Sequence, residues 1–257
     1  MKWMLSVAIA ASLAAGPAVS TTPAHTGIPA YVSKAVADPA RGDDVKNDAR
    51  RKVAELVAFS GVKPGDSVLE LIPGSGYFTK VFSKVVGPKG HVYAVWPKPY
   101  DDESHPDSDV MRKLATQPGY GNIETLVQPA DALTAPTPLD VVFTSQNYHD
   151  YPDKFMGPTD PAILNKAVFA ALKPGGTYIV VDHVAEAGSK LRDTDTLHRI
   201  DPAMVKQQVL AAGFEYVGET SVLRNRNDTH KLKVFDKAIR GHTDQFAYKF
   251  RKPLRKR

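Results

Sequence analysis

The stretch Ser67-Val-Leu-Glu-Leu-Ile-Pro-Gly-Ser-Gly-Tyr-Phe78 constrains the fold more than any other part of the 257-residue chain. Val68, Leu69, Leu71 and Ile72 form a short apolar run around Glu70, the pattern of a buried strand. Gly74 and Gly76 follow, and Tyr77, Phe78, Val81, Phe82, Val85 and Val86 then recur at helical spacing. A strand, a glycine turn and a helix in succession bring free backbone N–H groups and the positive end of a helix dipole to the C-terminal edge of a sheet. In open α/β folds ligands bind at that edge. Glycine also serves an ordinary βα turn through its backbone freedom alone. A ligand turn and a plain structural turn are therefore both open on these residues.

The flanking periodicities supply the rest of the architecture. Residues 21–42 are rich in Pro, Ala and Gly and read as an irregular lead-in. Asp43 or Asp44 caps a helix predicted to run to Ser60, with Val45, Ala49, Val53, Leu56 and Val57 on one face and Gly61 ending it. Strands are expected over 91–96, 123–128, 139–145 and 177–183. A polar loop is expected over 97–109, where Pro97, Pro99 and Pro106 lie among five acids, and a short helix over 109–117. Asp160-Pro161 and Asp201-Pro202 each pair an N-cap with proline at the first helical position, opening helices that end near Leu172 and Gly213. Two closing strands fall near 214–223 and 245–251. Alternation from 67 to 213 predicts an α/β fold: a doubly wound, mostly parallel sheet with an antiparallel pair at its C-terminal edge.

The first twenty residues have a different composition. Lys2 precedes an apolar run over 4–15 broken only by Ser6 and Ser12, and Ala18 and Ser20 have the spacing of a cleavage site. This is the outline of a secretory signal peptide over residues 1–20, too short in its core to be a stable membrane span. Cleavage there predicts a periplasmic or secreted protein with no membrane span remaining. The division expected is signal peptide 1–20, lead-in and N-terminal helix 21–60, main domain 61–252 and basic tail 253–257. Tyr31 and Arg41 either fold over the pocket as a lid or lie at the surface. With no cysteine in the chain, disulfides and thiolate metal sites are excluded.

The formal charge of +5 is concentrated at one end, since Lys249, Arg251, Lys252, Arg255, Lys256 and Arg257 carry six positive charges, leaving about −1 elsewhere. Such a tail can meet an anionic surface. Without repeated interleaved aromatics it reads instead as a solvated end, and no specific nucleic-acid partner is expected. Nothing in the sequence sets an oligomeric state.

Three motifs carry a family likeness: Val62-Lys-Pro-Gly-Asp-Ser-Val-Leu-Glu-Leu, Asp140-Val-Val-Phe and Leu172-Lys-Pro-Gly-Gly-Thr. Their order resembles that of class I S-adenosylmethionine-dependent methyltransferases, and more narrowly a family of predicted exported methyltransferases with a proline in the first motif. The likeness runs from about Tyr31 to Pro253. It implies S-adenosylmethionine as cofactor and a small-molecule methyl acceptor. It implies that Glu70 helps hold the cofactor's amino acid end and that Gly74 and Gly76, with Tyr77 beside them, admit its methionine and ribose portions. Asp131 with Ala132 takes the position that meets the adenine amine, and Gln146, Asn147 and Tyr148 fall where cofactor and acceptor meet.

Two departures from the family pattern stand out. Ile72-Pro73 replaces the usual first glycine, and Pro73 is expected to hold Ile72 extended. Trp96 stands where a carboxylate usually binds the ribose hydroxyls; its indole can stack on adenine but cannot accept those hydrogen bonds. Asp101 or Asp102 is the alternative acceptor.

Methyl transfer from a sulfonium needs orientation, and a base when the acceptor must lose a proton. His149, followed by Asp150, is the candidate base; packing is the competing role for His149. Asp182, His183 and His198 stand nearby in the same reading, but their spacing matches no recognised metal motif, so no metal is expected. A nicotinamide fingerprint would need glycine where Thr79 stands, and no phosphate loop or nucleophile elbow is present. The other function class left open is a non-enzymatic ligand-binding protein that keeps the fold with an altered pocket.

Overall fold

The computed structural model describes residues 27–103, 107–157 and 159–254. The expected signal peptide and the last three basic residues lie outside them. Seven strands form one sheet: β1 (Ser67–Leu71), β2 (His91–Pro97), β3 (Ile123–Gln128), β4 (Leu139–Ser145), β5 (Leu172–His183), β6 (Glu215–Thr220) and β7 (Gln245–Arg251), in the order β3-β2-β1-β4-β5-β7-β6. The first five are parallel, and β7 runs antiparallel between β5 and β6. This is the expected doubly wound sheet with its antiparallel edge. β1 sits near the middle, with Val68 opposite both Val92 and Val141, all buried. Near-continuous Val, Leu and Ile in β1, β2, β4 and β5 follows from burial on both faces.

The helices are α1 (Ala30–Val36), α2 (Asp48–Arg51), α3 (Val53–Ser60), α4 (Tyr77–Val86), α5 (Lys98–Glu103), α6 (Asp107–Ala115), α7 (Pro161–Ala171), α8 (Thr194–Leu197) and α9 (Pro202–Ala211). Asp160 and Asp201 cap α7 and α9 as read, accepting from the Ala162 and Ala203 amides at 2.8 and 2.9 Å. Each such cap contributes about 1 kcal/mol. Asp140 and Lys173, both within the family motifs, join strand ends: Asp140 accepts from the Ser67 amide at 2.9 Å and from Lys173 Nζ at 2.7 Å.

Two expectations for local structure are corrected. The single helix expected from Asp43 or Asp44 to Ser60 is instead a 3-10 stretch, Pro39–Asn47, followed by α2 and α3. Lys52, at φ 51°, breaks it. Val45 and Ala49 face solvent, whereas Val53, Leu56 and Val57 are buried. The break lets α3 bury that face while Asp48 turns inward to Arg41, at 2.6 and 2.8 Å, and to the Tyr77 hydroxyl at 2.6 Å. Arg41 is thus an internal anchor, and Tyr31 donates to the Val62 carbonyl at 3.2 Å; neither covers the cavity as a lid. The second correction is at 97–109, which holds α5 and the start of α6 rather than a continuous polar loop.

Candidate functional site

A cavity of about 760 Å³ opens at the C-terminal edge of β1, β4 and β5. That volume is in the range of small-molecule sites. One wall is the turn after β1. Ile72 there has φ 49°, not the extended conformation expected before Pro73. Left-handed backbone at a β-branched residue costs about 1–3 kcal/mol and persists only where its surroundings over-determine it. Here the Ile72 amide donates to the Val95 carbonyl at 2.8 Å, and its own carbonyl accepts from Asn147 Nδ2 at 2.9 Å. Asn147 also donates to the Ser145 carbonyl at 2.8 Å, so one side chain ties the ends of β1 and β4.

Glu70 is 3 % exposed and accepts from Thr79 Oγ1 at 2.6 Å. Burial pushes its carboxyl up to about 8, against the opposing pull of that hydrogen bond and of nearby Arg51. Arg51 lies on the same wall, its guanidinium 4.3 Å from the Tyr77 ring centre and 4.9 Å from that of Phe78. Its side chain makes no hydrogen bond among the described residues, so its planar donor fork can meet a ligand anion.

The opposite wall is polar. After β4 a 3-10 turn, Tyr148–Asp150, places His149 against the end of β5. Its Nδ1 lies 2.8 Å from Asp182 Oδ1, and its backbone amide donates to Asp182 Oδ2 at 2.9 Å. Asp182 Oδ1 also takes the His183 amide at 2.7 Å. Burial opposes the Asp182 charge, but the His149 ring and these N–H donors outweigh it and hold the carboxyl low. Burial likewise opposes the His149 cation, and Asp182 with Asp150 overrides it, raising that imidazole's pKa. On the other side of the ring, Nε2 is 3.2 Å from Asp150 Oδ1 and 3.3 Å from His198 Nδ1. His198 is left-handed at φ 52°, just past α8. His149, Asp150 and His198, which share no recognised ligand spacing in sequence, offer side-chain atoms that lie within 4.8 Å of one another.

Of the residues singled out from sequence, Glu70, Gly74, Tyr77, Gln146, Asn147, His149 and Asp150 line the cavity, as do His183 and His198. Gly76, Trp96, Asp131 and Ala132 do not. A Cβ on Gly76 would point at Met111 Cε, 2.7 Å away on α6, not into the cavity. Trp96 is fully buried, and its indole N–H has no hydrogen-bond partner among the described residues. Asp131 and Ala132 are exposed in the loop after β3. At Gly76 the reason is local, since Met111 and Leu114 of α6 crowd the position that a Cβ there would take. Sequence reasoning missed Arg51, Tyr100, Phe155, Asp195 and Phe235 in the lining. Arg51 reads locally as one charge of the run Asp-Ala-Arg-Arg-Lys, and no periodicity marks it.

Comparison with known proteins agrees with this architecture. The family model for protein-L-isoaspartate(D-aspartate) O-methyltransferase matches residues 25–100. The ubiquinone/menaquinone biosynthesis C-methyltransferase UbiE of Vibrio cholerae serotype O1 is 31 % identical over 195 residues, 74 % of this chain. The chain spans 63 % of that relative's length. A SAM-dependent methyltransferase from Aquifex aeolicus superposes with TM-score 0.58 at 18 % identity, covering 86 % of this chain and 98 % of that one. The glycopeptide N-methyltransferase MtfA complexed with sinefungin gives 0.55 at 17 % identity, covering 80 % and 87 %. The seven-stranded sheet, mostly parallel with its antiparallel C-terminal pair, is the Rossmann-like fold of these methyltransferase structures, and the chain is similar in sequence to the UbiE C-methyltransferases.

Proposed function

We propose that the protein is an S-adenosylmethionine-dependent methyltransferase acting on a small-molecule acceptor. The observation that carries this reading is the wall formed by Arg51, Glu70 and Gly74 at the edge of β1. It fits the amino acid end of the cofactor. The unengaged Arg51 fork matches a carboxylate, Glu70 offers an acceptor to an ammonium, and a Cβ on Gly74 would meet nothing nearer than Asp107 Oδ2 at 4.0 Å, leaving its backbone approachable. When bound, the cofactor supplies an electrophilic methyl group on a sulfonium for in-line displacement.

The chain's own contribution is placement and exclusion of water. Tyr100, Phe155 and Phe235 give the cavity an aromatic lining suited to a flat, largely apolar acceptor. UbiE is named for a C-methylation in quinone biosynthesis, and this lining is consistent with a ring-shaped acceptor here. His149 Nε2, Asp150 Oδ1 and His198 Nδ1 form the polar end at which the acceptor's heteroatom is held. Buttressing by Asp182 keeps the His149 ring from turning away.

Calorimetric titration with S-adenosylmethionine tests the reading. Binding is expected, with Arg51→Gln at least ten-fold weaker. Absence of both heat and thermal stabilisation at millimolar cofactor would instead favour a binding protein that keeps the fold for another ligand.

The narrower membership, in an exported subgroup, and a periplasmic or secreted location form part of the same proposal. They rest on the leader-like residues 1–20. Among the described residues no helix is long and apolar enough to cross a membrane. N-terminal sequencing of the protein from its native host, beginning at Thr21, is the expected result; an intact Met1 refutes it.

A further inference from the structure

We propose that His149, Asp150 and His198 bind a divalent transition-metal ion on the acceptor side of the cavity, with Asp182 as the carboxylate that orients His149. This extends the methyltransferase reading by naming what holds the acceptor's heteroatom. The argument is geometric. The three candidate ligand atoms, His149 Nε2, Asp150 Oδ1 and His198 Nδ1, are separated by 3.2, 3.3 and 3.9 Å. Atoms bonded at ~2.1 Å to one tetrahedral ion lie ~3.4 Å apart. A point roughly 2.0–2.1 Å from all three atoms exists with the side chains where they stand, which is the Zn–N and Zn–O bond length.

The surroundings point the same way. Asp182 is acceptor-only and already holds two backbone amides, so His149 must present Nδ1–H to it. A metal ion would take the place of the proton on Nε2, which faces the Asp150 carboxylate and His198. A carboxylate–histidine pair of this kind is the usual support of a metal-bound imidazole. His198 reaches the group from a left-handed backbone, a conformation that a histidine adopts at a cost, and its ring is packed 4.9 Å from that of Phe235. Asp150 and His149 are nearly closed to solvent, at 7 % and 3 % side-chain exposure, whereas His198 keeps 23 %. All three line the cavity, so an open coordination position would face an acceptor there.

Two imidazoles and one carboxylate suit zinc and its transition-metal neighbours better than magnesium or calcium, which prefer oxygen ligands. The substrate class this implies is an acceptor with a metal-binding oxygen or nitrogen, such as a phenol, an enol or a hydroxy acid.

The test uses the full chain, stripped with chelator and dialysed, titrated with Zn²⁺ by calorimetry and with Co²⁺ by visible absorption, both without S-adenosylmethionine. One ion per chain is expected, with the intense d–d bands of a low-coordinate Co²⁺ site. Asp150→Asn and His198→Ala are each expected to weaken binding at least thirty-fold. Asp182→Asn keeps the shape but not the charge, and is expected to weaken it 10–100-fold. His230→Ala, in a separate pair with Asp244, should leave it unchanged. His198 is partly exposed, so its variant keeps the measurement interpretable if substitutions at the buried positions fail to fold. Absence of stoichiometric binding at 100 micromolar metal, or binding that His198→Ala does not weaken, overturns the proposal. Cofactor binding without metal binding removes this inference alone; metal binding without cofactor binding removes the methyltransferase reading and leaves the site.

Discussion

Glu70→Gln isolates the energetics of the carboxyl at the head of the cavity. In the folded chain burial lifts this group from an ordinary value near 4.5 to about 8. In the unfolded chain it titrates as a free glutamate. Between those two pH values the folded state keeps a proton that the unfolded state has lost, so stability falls as pH rises. The contribution is fully present below pH 4.5 and lost by pH 8. Each pH unit in that window costs about 1.4 kcal/mol, or about 5 kcal/mol over the whole of it, with the Thr79 hydrogen bond already counted. Glutamine keeps an oxygen for the Thr79 hydroxyl, which now reaches Glu70 at 2.6 Å, and carries no titratable proton. Urea unfolding of both proteins at pH 5.5 and pH 8 is the assay. The wild type should lose about 3 kcal/mol more than the variant across that interval. Other groups titrate alike in the two proteins and cancel in the comparison. Parallel loss in both would show that Glu70 is ionised and solvated, and would refute the argument from burial.

Gly76→Ala should destabilise the fold by about 1–3 kcal/mol, because φ is 88° and the new methyl would press on Met111. Ligand affinity should be unchanged in the folded variant; a selective loss of binding would return Gly76 to the cavity. Arg41→Met removes one partner of a pair whose guanidinium side is fully buried, and should cost about 3 kcal/mol in a denaturant titration. The Asp48 carboxyl feels burial as an upward pull, but its bonds from Arg41 and Tyr77 hold it below the usual range. The stability it contributes is therefore present at neutral pH and lost as pH falls through its folded value. A variant as stable as the parent at pH 7 would contradict the pairing.

How far the sequence carried can be judged position by position. The strands over 123–128, 139–145 and 245–251 and the two Asp-Pro caps were legible because their signals are local: an apolar run, a capping oxygen, a proline ring. The break at Lys52 was not, since nothing about a lysine announces a positive φ; the cause lies in Asp48 meeting Arg41 and Tyr77 across the fold. Ile72 misled for a related reason. Local sterics before Pro73 favour an extended residue, and two hydrogen bonds, one to the Val95 carbonyl on β2 and one from the Asn147 side chain just past β4, overrule them. At the site, His149 and Asp150 were visible as a pair after β4, but His198 joins them from beyond α8, a convergence that only the tertiary fold creates. Trp96 and Asp131 take their expected roles from family position alone; the fold buries the one in β2 and leaves the other exposed in the loop after β3, neither on the cavity lining.

The placement of β7 has a consequence for how the molecule is made. Residues 245–251 follow every other strand in the chain, yet they occupy an interior seam of the sheet, between β5 and β6. During synthesis β1 to β5 can pair as they emerge, whereas β6 must wait for a partner delivered about 25 residues later. Until then β5 carries an open hydrogen-bonding edge, the feature most prone to capture by another chain. The order of assembly thus makes closure of the sheet a single event that waits for residues 245–251, with the vulnerable interval lying before they emerge.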